Sequence, residues 1–202
     1  WISQLTVAHM YTPTYTITEL LLARISEAEV LRTKTQTAPV QVAWLESIRL
    51  EALVRRAHFS TAIEGNPLTL PEVEALAGAK KVEVKDRAKR EVLNYLAALR
   101  WIARQLAQAL VTEAAVLKLH RIIIAGLLEP KLVGAYKTSA NVIMSAGQVV
   151  YRPPGPQAAQ PGTRALVAWL EGPGRATHPI VASACAHYEI ARLHPFRDGN
   201  GR

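Results

Sequence analysis

The segment Pro179–Leu193 constrains the fold most, because it combines an apolar helical pattern with an abrupt stop. Its apolar residues recur at helical spacing, and Pro179 suits the first turn of a helix. These residues are Ile180, Val181, Ala184, Cys185, Tyr188, Ala191 and Leu193. Pro195 disfavours the α conformation at His194 and cannot continue the helix. We therefore predict a buried helix that ends in a turn at His194.

The turn that follows is expected to bind an anion. Gly199 and Gly201 can adopt positive φ values, which lets successive backbone N–H groups point into one concavity. A helix that starts near Asn200 would aim its positive end at the same anion. Phe196 is expected to enter the core, and Arg197 is expected to face solvent. This pattern is typical of a phosphate site.

The nonapeptide His194–Arg202 reads His-Pro-Phe-Arg-Asp-Gly-Asn-Gly-Arg and resembles the signature of the Fic family. Members of that family mostly transfer AMP from ATP to a hydroxyl side chain of a target protein. The resemblance implies an all-α fold, a Fic-type helical bundle with a small β-hairpin flap. It also implies a nucleotidyltransferase, specifically a protein adenylyltransferase that modifies Ser, Thr or Tyr of its target.

Residue chemistry assigns roles within the nonapeptide. A histidine with a pKa of about 6.5 can take a proton from an attacking hydroxyl, so His194 is the candidate general base. Asp198 is the candidate ligand for Mg²⁺, which prefers oxygen and often uses one carboxylate with substrate phosphates and water. Gly199, Asn200 and Gly201 are expected to hold the α-phosphate of ATP, and Arg202 a more distal one.

The segment Ser60–Gly65, Ser-Thr-Ala-Ile-Glu-Gly, resembles the inhibitory helix of the same family. Ser60 and Glu64 are four residues apart and so share one helix face. In the family this glutamate reaches into the ATP site and pairs with a second motif arginine, which lies beyond the end of this sequence. A negative charge at a helix C-terminus opposes the helix dipole, which disfavours an ordinary surface role. Glu64 is therefore expected to inhibit the enzyme in cis.

Two short β-prone runs surround a glycine turn, which predicts a hairpin. The runs are Asn141–Met144 and Val149–Tyr151. The hairpin resembles the family's flap, whose exposed strand edge can pair with an extended target segment. The residues expected to dock the target are Val142, Ile143 and Met144. Lys137 stands where the family more usually has arginine, so the charge is kept but the guanidinium fork is lost.

Helical spacing and cap residues predict the remaining helices. The predicted segments run from Thr18 to about Thr33, from Val42 to Glu64, from Pro71 to about Ala77, from Val84 to Leu110, from Thr112 onwards, and from Thr163 to about Glu171. The second helix is expected to place Leu45, Ile48, Ala52, Phe59 and Ile63 on one apolar stripe. Residues 1–78 are expected to form an N-terminal helical region that carries the inhibitory helix. Residues 79–202 are expected to form the catalytic core, cut at the end of the signature.

The net charge of +8 is concentrated between Lys80 and Arg104. The basic residues there are Lys80, Lys81, Lys85, Arg87, Lys89, Arg90, Arg100 and Arg104. Apolar residues recur at helical spacing in the same segment. The charges are therefore expected to form a solvated outer face rather than a surface for nucleic acid.

Other features set the expected partners and location. Cys185 cannot form an internal disulfide because it is the single cysteine, which favours a reducing, cytoplasmic setting and a buried structural role. His120 is expected to be a core or surface histidine, because no partner has metal-ligand spacing. The sequence has no apolar run of about 18 residues, so no membrane partner is expected. The expected partners are ATP and a protein substrate, and a homo-oligomer stays open.

Two alternatives to AMP transfer remain open at this point. One is a related enzyme that uses the same loop to remove AMP or to move another phosphate-containing group. The other is a nucleotide-binding regulator without enzymatic activity. The glycine and arginine positions favour AMP transfer, because they match that version of the motif.

Overall fold

A computed structural model describes residues 10–39, 42–79, 86–105 and 110–201. Within these ranges the chain forms seven α-helices and one two-stranded antiparallel sheet, which confirms the predicted mostly helical fold with a hairpin. The helices are α1 Glu19–Thr37, α2 Val42–Ile63, α3 Leu70–Gly78, α4 Arg87–Gln105, α5 Glu113–Ile123, α6 Pro156–Glu171 and α7 Pro179–Leu193. No helix in the described ranges is long and apolar enough to cross a membrane.

The first core packs α2, α3 and α4 together. Its fully or nearly buried members are Val54, Ala57, Val73, Val92 and Leu96. Asn66, which follows α2, links the end of that helix to α4. Its Nδ2 donates to the Ala88 carbonyl and to the Glu91 carboxylate, at 2.9 and 3.1 Å. The end of α2 is thereby held against the N-terminal half of α4, and this contact fixes where Glu64 lies.

The predicted apolar stripe on α2 is wrong. Ile48, Phe59 and Ile63 are exposed, and the buried positions are instead Val54 and Ala57. The sequence offers apolar residues on two sides of this helix, and only tertiary packing with α3 and α4 selects the buried side. α1 begins after its Thr18 cap as predicted, but it extends to Thr37 and has no buried residue.

We expect Leu96→Ala to lower the free energy of unfolding by about 2–5 kcal/mol. Leu96 is fully buried between α2, α3 and α4, so its truncation removes apolar contacts and leaves a cavity. Chemical denaturation of both proteins measures the change. Leu31→Ala is the matched control, because Leu31 of α1 is exposed and its loss should cost less than about 0.5 kcal/mol. Equal losses of unfolding free energy in the two variants would contradict the burial of Leu96 in this core.

The second half of the domain packs α5, α6 and α7. The hydroxyl of Thr112 caps α5 by accepting the Ala115 N–H at 3.1 Å, as the sequence predicts. α6 differs from the prediction, because it begins at Pro156 rather than at Thr163. Pro156 occupies the first turn, where a missing N–H costs nothing, and Pro161 is accommodated inside the helix. Pro156 therefore starts this helix, seven residues before the predicted Thr163.

The hairpin contains β1, Ile143–Ser145, and β2, Gln148–Tyr151. Ala146 and Gly147 both have positive φ, 47° and 79°, which is the backbone of a tight two-residue hairpin turn. The pairing register shifts between Ile143 and Met144, so the ribbon is irregular at its base. Val142 and Met144 are exposed, as a docking edge requires.

The boundaries of α7 match the prediction, but its burial does not. Val181 and Leu193 are buried, whereas Ile180 and Tyr188 are exposed. Glu189 is buried and forms a two-pronged ion pair with Arg192, both bonds being 2.7 Å. α7 packs on α6 and on the short 3-10 segment Pro173–Ala176. The side of α7 with the half-buried Cys185 faces the segment from Met10 to Tyr15 across a cavity of about 730 Å³.

Candidate functional site

The turn after α7 holds His194 in a left-handed conformation, with φ 46° and ψ 58°. Its N–H still bonds the Ile190 carbonyl at 2.9 Å, so His194 ends the helix in register. Phe196 is buried and Arg197 is exposed, as predicted. The turn therefore holds the His194 ring at the C-terminal end of α7 on a well-defined backbone.

Asn200 closes this turn with its side chain. Its Oδ1 accepts the Phe196 N–H at 2.9 Å, and its Nδ2 donates to the Phe196 carbonyl at 3.0 Å. Gly199 has the predicted positive φ, 78°, whereas Gly201 is not among the described glycines with positive φ. The loop is thus shaped by one left-handed glycine and by the amide clamp of Asn200.

Three stacked rings, one of which is Phe196 of the loop itself, anchor the loop to the core. Phe196 lies between His120, at 3.9 Å between ring centroids, and Tyr136, at 5.8 Å, with all three rings nearly parallel. His120 Nδ1 accepts the Gly134 N–H at 3.0 Å, which leaves Nε2 to donate to the Asp198 carbonyl at 3.1 Å. His120 is buried and burial lowers its pKa, so the neutral form fits both bonds. It is a core histidine, one of the two roles expected.

Burial lowers the pKa of the His194 imidazole below its ordinary value, and the Lys137 ammonium acts in the same direction. The Ala191 carbonyl and the carboxylates of Glu64 and Asp198 partly oppose this shift. Nδ1 is buried and has no hydrogen-bond partner among the residues that the structure describes. His194 is consequently neutral near pH 7 and able to accept a proton.

Asp198 lies at the edge of the loop with its side chain partly exposed. Oδ1 accepts the Gly199 N–H at 2.6 Å, and Oδ2 accepts from Arg87 of α4 at 3.3 Å. No group of three or more His, Cys, Asp or Glu side chains in metal-binding arrangement occurs within the described ranges. A single accessible carboxylate fits Mg²⁺ that is held mainly by substrate phosphates and water.

Glu64 reaches the same loop from the end of α2. A Cβ built on Gly201 would lie only 1.9 Å from Oε1 of Glu64 and 2.7 Å from its carboxyl carbon. The carboxylate therefore lies close to the backbone of Gly201, and a larger residue at position 201 would displace it. The fold brings Glu64 to the loop that carries His194, Asp198 and Gly201, which is far from Glu64 in sequence.

Ser60 contacts α4. Its Oγ accepts a hydrogen bond from the Tyr95 hydroxyl at 2.9 Å. This bond braces the last turns of α2 against α4 and so helps to fix where Glu64 lies. Sequence spacing alone places both residues on one face but does not reveal the Tyr95 partner.

Lys137 belongs to the candidate site through contacts that the sequence does not indicate. It is buried, and its Nζ donates to the Leu193 carbonyl at 3.1 Å and to Asn141 Oδ1 at 2.9 Å. Its N–H donates to the Pro195 carbonyl at 2.9 Å. The only sequence signal was its position just before the hairpin, at the place of a more usual arginine.

Arg202 lies outside the described residues, as do Lys80, Lys81 and Lys85 of the basic segment. The described basic residues Arg87, Lys89, Arg100 and Arg104 lie on exposed positions of α4. The prediction of a solvated face is consistent with these positions.

Residues 110–202 match the family model described as the Fic/DOC family. The chain is 31% identical over 162 residues to a protein named protein adenylyltransferase Fic from Drosophila yakuba, which is 78% of this chain and 32% of that protein. The corresponding protein of Drosophila melanogaster is 30% identical over the same span. The chain thus spans about a third of the length of these curated relatives.

Solved structures share the fold. A Fic family protein from Desulfovibrio desulfuricans G20 has a TM-score of 0.80 and 32% identity, covering 95% of this chain and 57% of that one. A fragment of Fic-1 from C. elegans has a TM-score of 0.71 and 26% identity, covering 92% and 56%. The matched motif, the loop geometry and the shared fold show that this chain carries a Fic domain of the Fic/DOC family.

Proposed function

We propose that this chain is a protein adenylyltransferase that moves AMP from ATP to a Ser, Thr or Tyr hydroxyl of a target protein. The observation that carries the proposal is the loop 194–201, in which a neutral histidine, an accessible aspartate and a glycine backbone converge. Relatives that share about 30% of the aligned residues are named protein adenylyltransferases, which supports the same chemistry here.

In the proposed reaction the target hydroxyl oxygen attacks the α-phosphorus of ATP. The bond from that phosphorus to the bridging oxygen breaks, and pyrophosphate leaves. The hydroxyl proton passes to the His194 imidazole, whose lowered pKa keeps it neutral and ready near pH 7. Backbone N–H groups of Asn200 and Gly201 are proposed to hold the α-phosphate, and Arg202 a more distal phosphate.

Asp198 is proposed to hold Mg²⁺ together with the ATP phosphates. Its carboxylate is a hard oxygen donor and is partly exposed at the loop edge, which fits an ion that keeps several waters. When bound, Mg²⁺ neutralises phosphate charge as the transition state forms. Arg87 pairs with Asp198 across the loop edge and restrains the carboxylate in place.

The exposed edge of the flap is proposed to receive the target. Main-chain hydrogen bonds along Val142, Ile143 and Met144 would hold an extended segment with little demand on its sequence. Within the described residues β1 pairs only with β2, which leaves its other edge available to an extended segment. The target hydroxyl would then lie beside His194.

Glu64 is proposed to restrain the reaction in cis. Its carboxylate lies against Gly201, where negative charge opposes the entry of ATP phosphates. Ser60 supports this arrangement by accepting the Tyr95 hydroxyl bond that braces the end of α2. The proposed inhibition is thus intramolecular, because α2 and the loop belong to the same chain.

We expect Glu64→Gly to raise the initial rate of AMP transfer to an unmodified target by about tenfold, a magnitude typical of coupling between two sites. The substitution removes the charge that faces the phosphates. Glu64→Gln, which keeps the size of the side chain, should also raise the rate. Ala62→Gly places the same backbone flexibility at an exposed position two residues earlier and should leave the rate unchanged.

The same experiment tests a second function, the removal of AMP from modified targets. A carboxylate against the loop could also orient a water molecule for that reaction, and the contact with Gly201 is compatible with this role. An unchanged forward rate in Glu64→Gly, together with slower loss of AMP from a modified target, would replace AMP addition by AMP removal as the main activity.

A further inference from the structure

Lys137 is a charged residue whose burial the proposed reaction does not explain. Only 3% of its surface is exposed, and burial lowers the pKa of its ammonium group. Both side-chain acceptors, the Leu193 carbonyl and Asn141 Oδ1, are neutral. Burying an ammonium with neutral partners is costly, so its retention calls for a local role.

The contacts of Lys137 bracket the general-base candidate. Nζ bonds the Leu193 carbonyl, and the backbone N–H bonds the Pro195 carbonyl. These two carbonyls belong to the residues immediately before and after His194. Leu193 also lies in the last turn of α7, where a cation interacts favourably with the negative end of the helix dipole.

Asn141 extends the same network to the flap. Its Oδ1 accepts from Lys137 Nζ at 2.9 Å, and its Nδ2 donates to the Phe196 carbonyl at 3.1 Å. Asn141 directly precedes the docking segment 142–144. Three hydrogen bonds therefore join Lys137 and Asn141 to the backbone on both sides of His194, and a fourth links Lys137 to Asn141.

We infer that Lys137 is a positioning residue, which with Asn141 fixes the flap at a set distance from His194 so that a docked hydroxyl meets its base. The hydrogen-bond partners of Lys137 are Leu193, Pro195 and Asn141, and it is inferred to act through them. This inference rests on the proposed function, because it assigns the flap to target docking and His194 to proton transfer.

The charge of Lys137 adds a second, separable effect. After burial, the nearby ammonium is a further cause that lowers the pKa of His194. Removal of the ammonium should therefore raise the His194 pKa, and the rate should then fall off at a higher pH as the solution is acidified. A role confined to packing would leave this pH dependence unchanged.

The test uses Lys137→Met in a chain that also carries Glu64→Gly. We expect kcat for target modification to fall about tenfold or more, since small misplacements of reacting groups are costly, while KM for ATP changes little. The pKa of His194, followed by NMR titration of its ring, should rise. Lys137→Arg should keep that pKa low, because it restores the charge. Lys131→Met, at an exposed lysine, is the matched control and should change neither quantity.

An unchanged kcat and an unchanged His194 pKa in folded Lys137→Met would overturn the inference. If thermal unfolding shows that this variant does not fold, Asn141→Ala decides instead: kcat for the target should fall with KM for ATP unchanged, and an unaltered kcat would overturn the inference. Absence of AMP transfer in the Glu64→Gly parent would contradict the proposed function alone, because the His194 titration still reports on Lys137.

Discussion

Replacement of His194 by alanine is expected to lower the rate of AMP transfer by about 10²–10⁴-fold, the usual contribution of a positioned general base. The left-handed turn places this ring at the end of α7, and burial together with Lys137 lowers its pKa. The phosphates are expected to meet backbone N–H groups of the loop rather than the ring. ATP affinity, measured by calorimetry, should therefore persist in the variant.

The pH dependence follows from the same pKa shift. If His194 is the base as proposed, the rate needs the neutral imidazole, so it should be constant near pH 7 and fall only as the pH drops through a value below the ordinary 6.5. His187→Ala is the matched control, because His187 is exposed on the same helix. Retained activity in His194→Ala, or equal loss in His187→Ala, would remove His194 from the role of base.

Asp198→Asn is expected to raise the Mg²⁺ concentration needed for half-maximal rate by about 10–100-fold. Asparagine keeps the size of the side chain and an oxygen donor, but it removes the charge that attracts the ion. Loss of the Asp198 charge should also weaken the ion pair with Arg87, but that pair is exposed and contributes little to the free energy of unfolding. Magnesium titrations of the rate at saturating ATP measure the change.

Glu129→Gln is the control for this experiment, because it makes the same change of charge at an exposed carboxylate outside the loop. Its magnesium requirement should match that of the unmodified chain. An unchanged requirement in Asp198→Asn would mean that other groups hold the ion.

Local signals explain why parts of the fold follow from the sequence. Pro179 and Pro195 delimit α7, and Thr112 caps α5 through a hydrogen bond that needs no distant partner. The hairpin follows from a glycine turn between β-prone residues. These features depend on neighbours within a few residues, so propensity and backbone sterics determine them.

Burial depends on neighbours that are distant in sequence, and here the predictions were less accurate. α2 offers two apolar sides, and α7 buries Glu189 while it exposes Tyr188. Glu189 can be buried because Arg192 satisfies both of its carboxylate oxygens. Helical periodicity identifies apolar residues but cannot detect a charge pair that changes which side is buried.

The candidate site was predictable for its motif residues and not for their supports. The nonapeptide indicates His194 and Asp198, but nothing in it or around it indicates that Asn200 clamps Phe196 or that Tyr95 donates to Ser60. The sequence distinguishes Lys137 only by its place, where the family more usually has arginine. Its role depends on three carbonyl and amide oxygens brought together by tertiary structure.

The most direct measurement of the proposed activity compares ATP labelled on the α-phosphate with ATP labelled on the γ-phosphate, in the Glu64→Gly chain with Mg²⁺ and an unmodified target. AMP transfer predicts that the target acquires the α label and never the γ label, at a rate that His194→Ala lowers by about 10²–10⁴-fold. Transfer of the γ label, or label that is independent of His194, would contradict the account. Binding of ATP without any transfer would instead indicate a nucleotide-binding regulator.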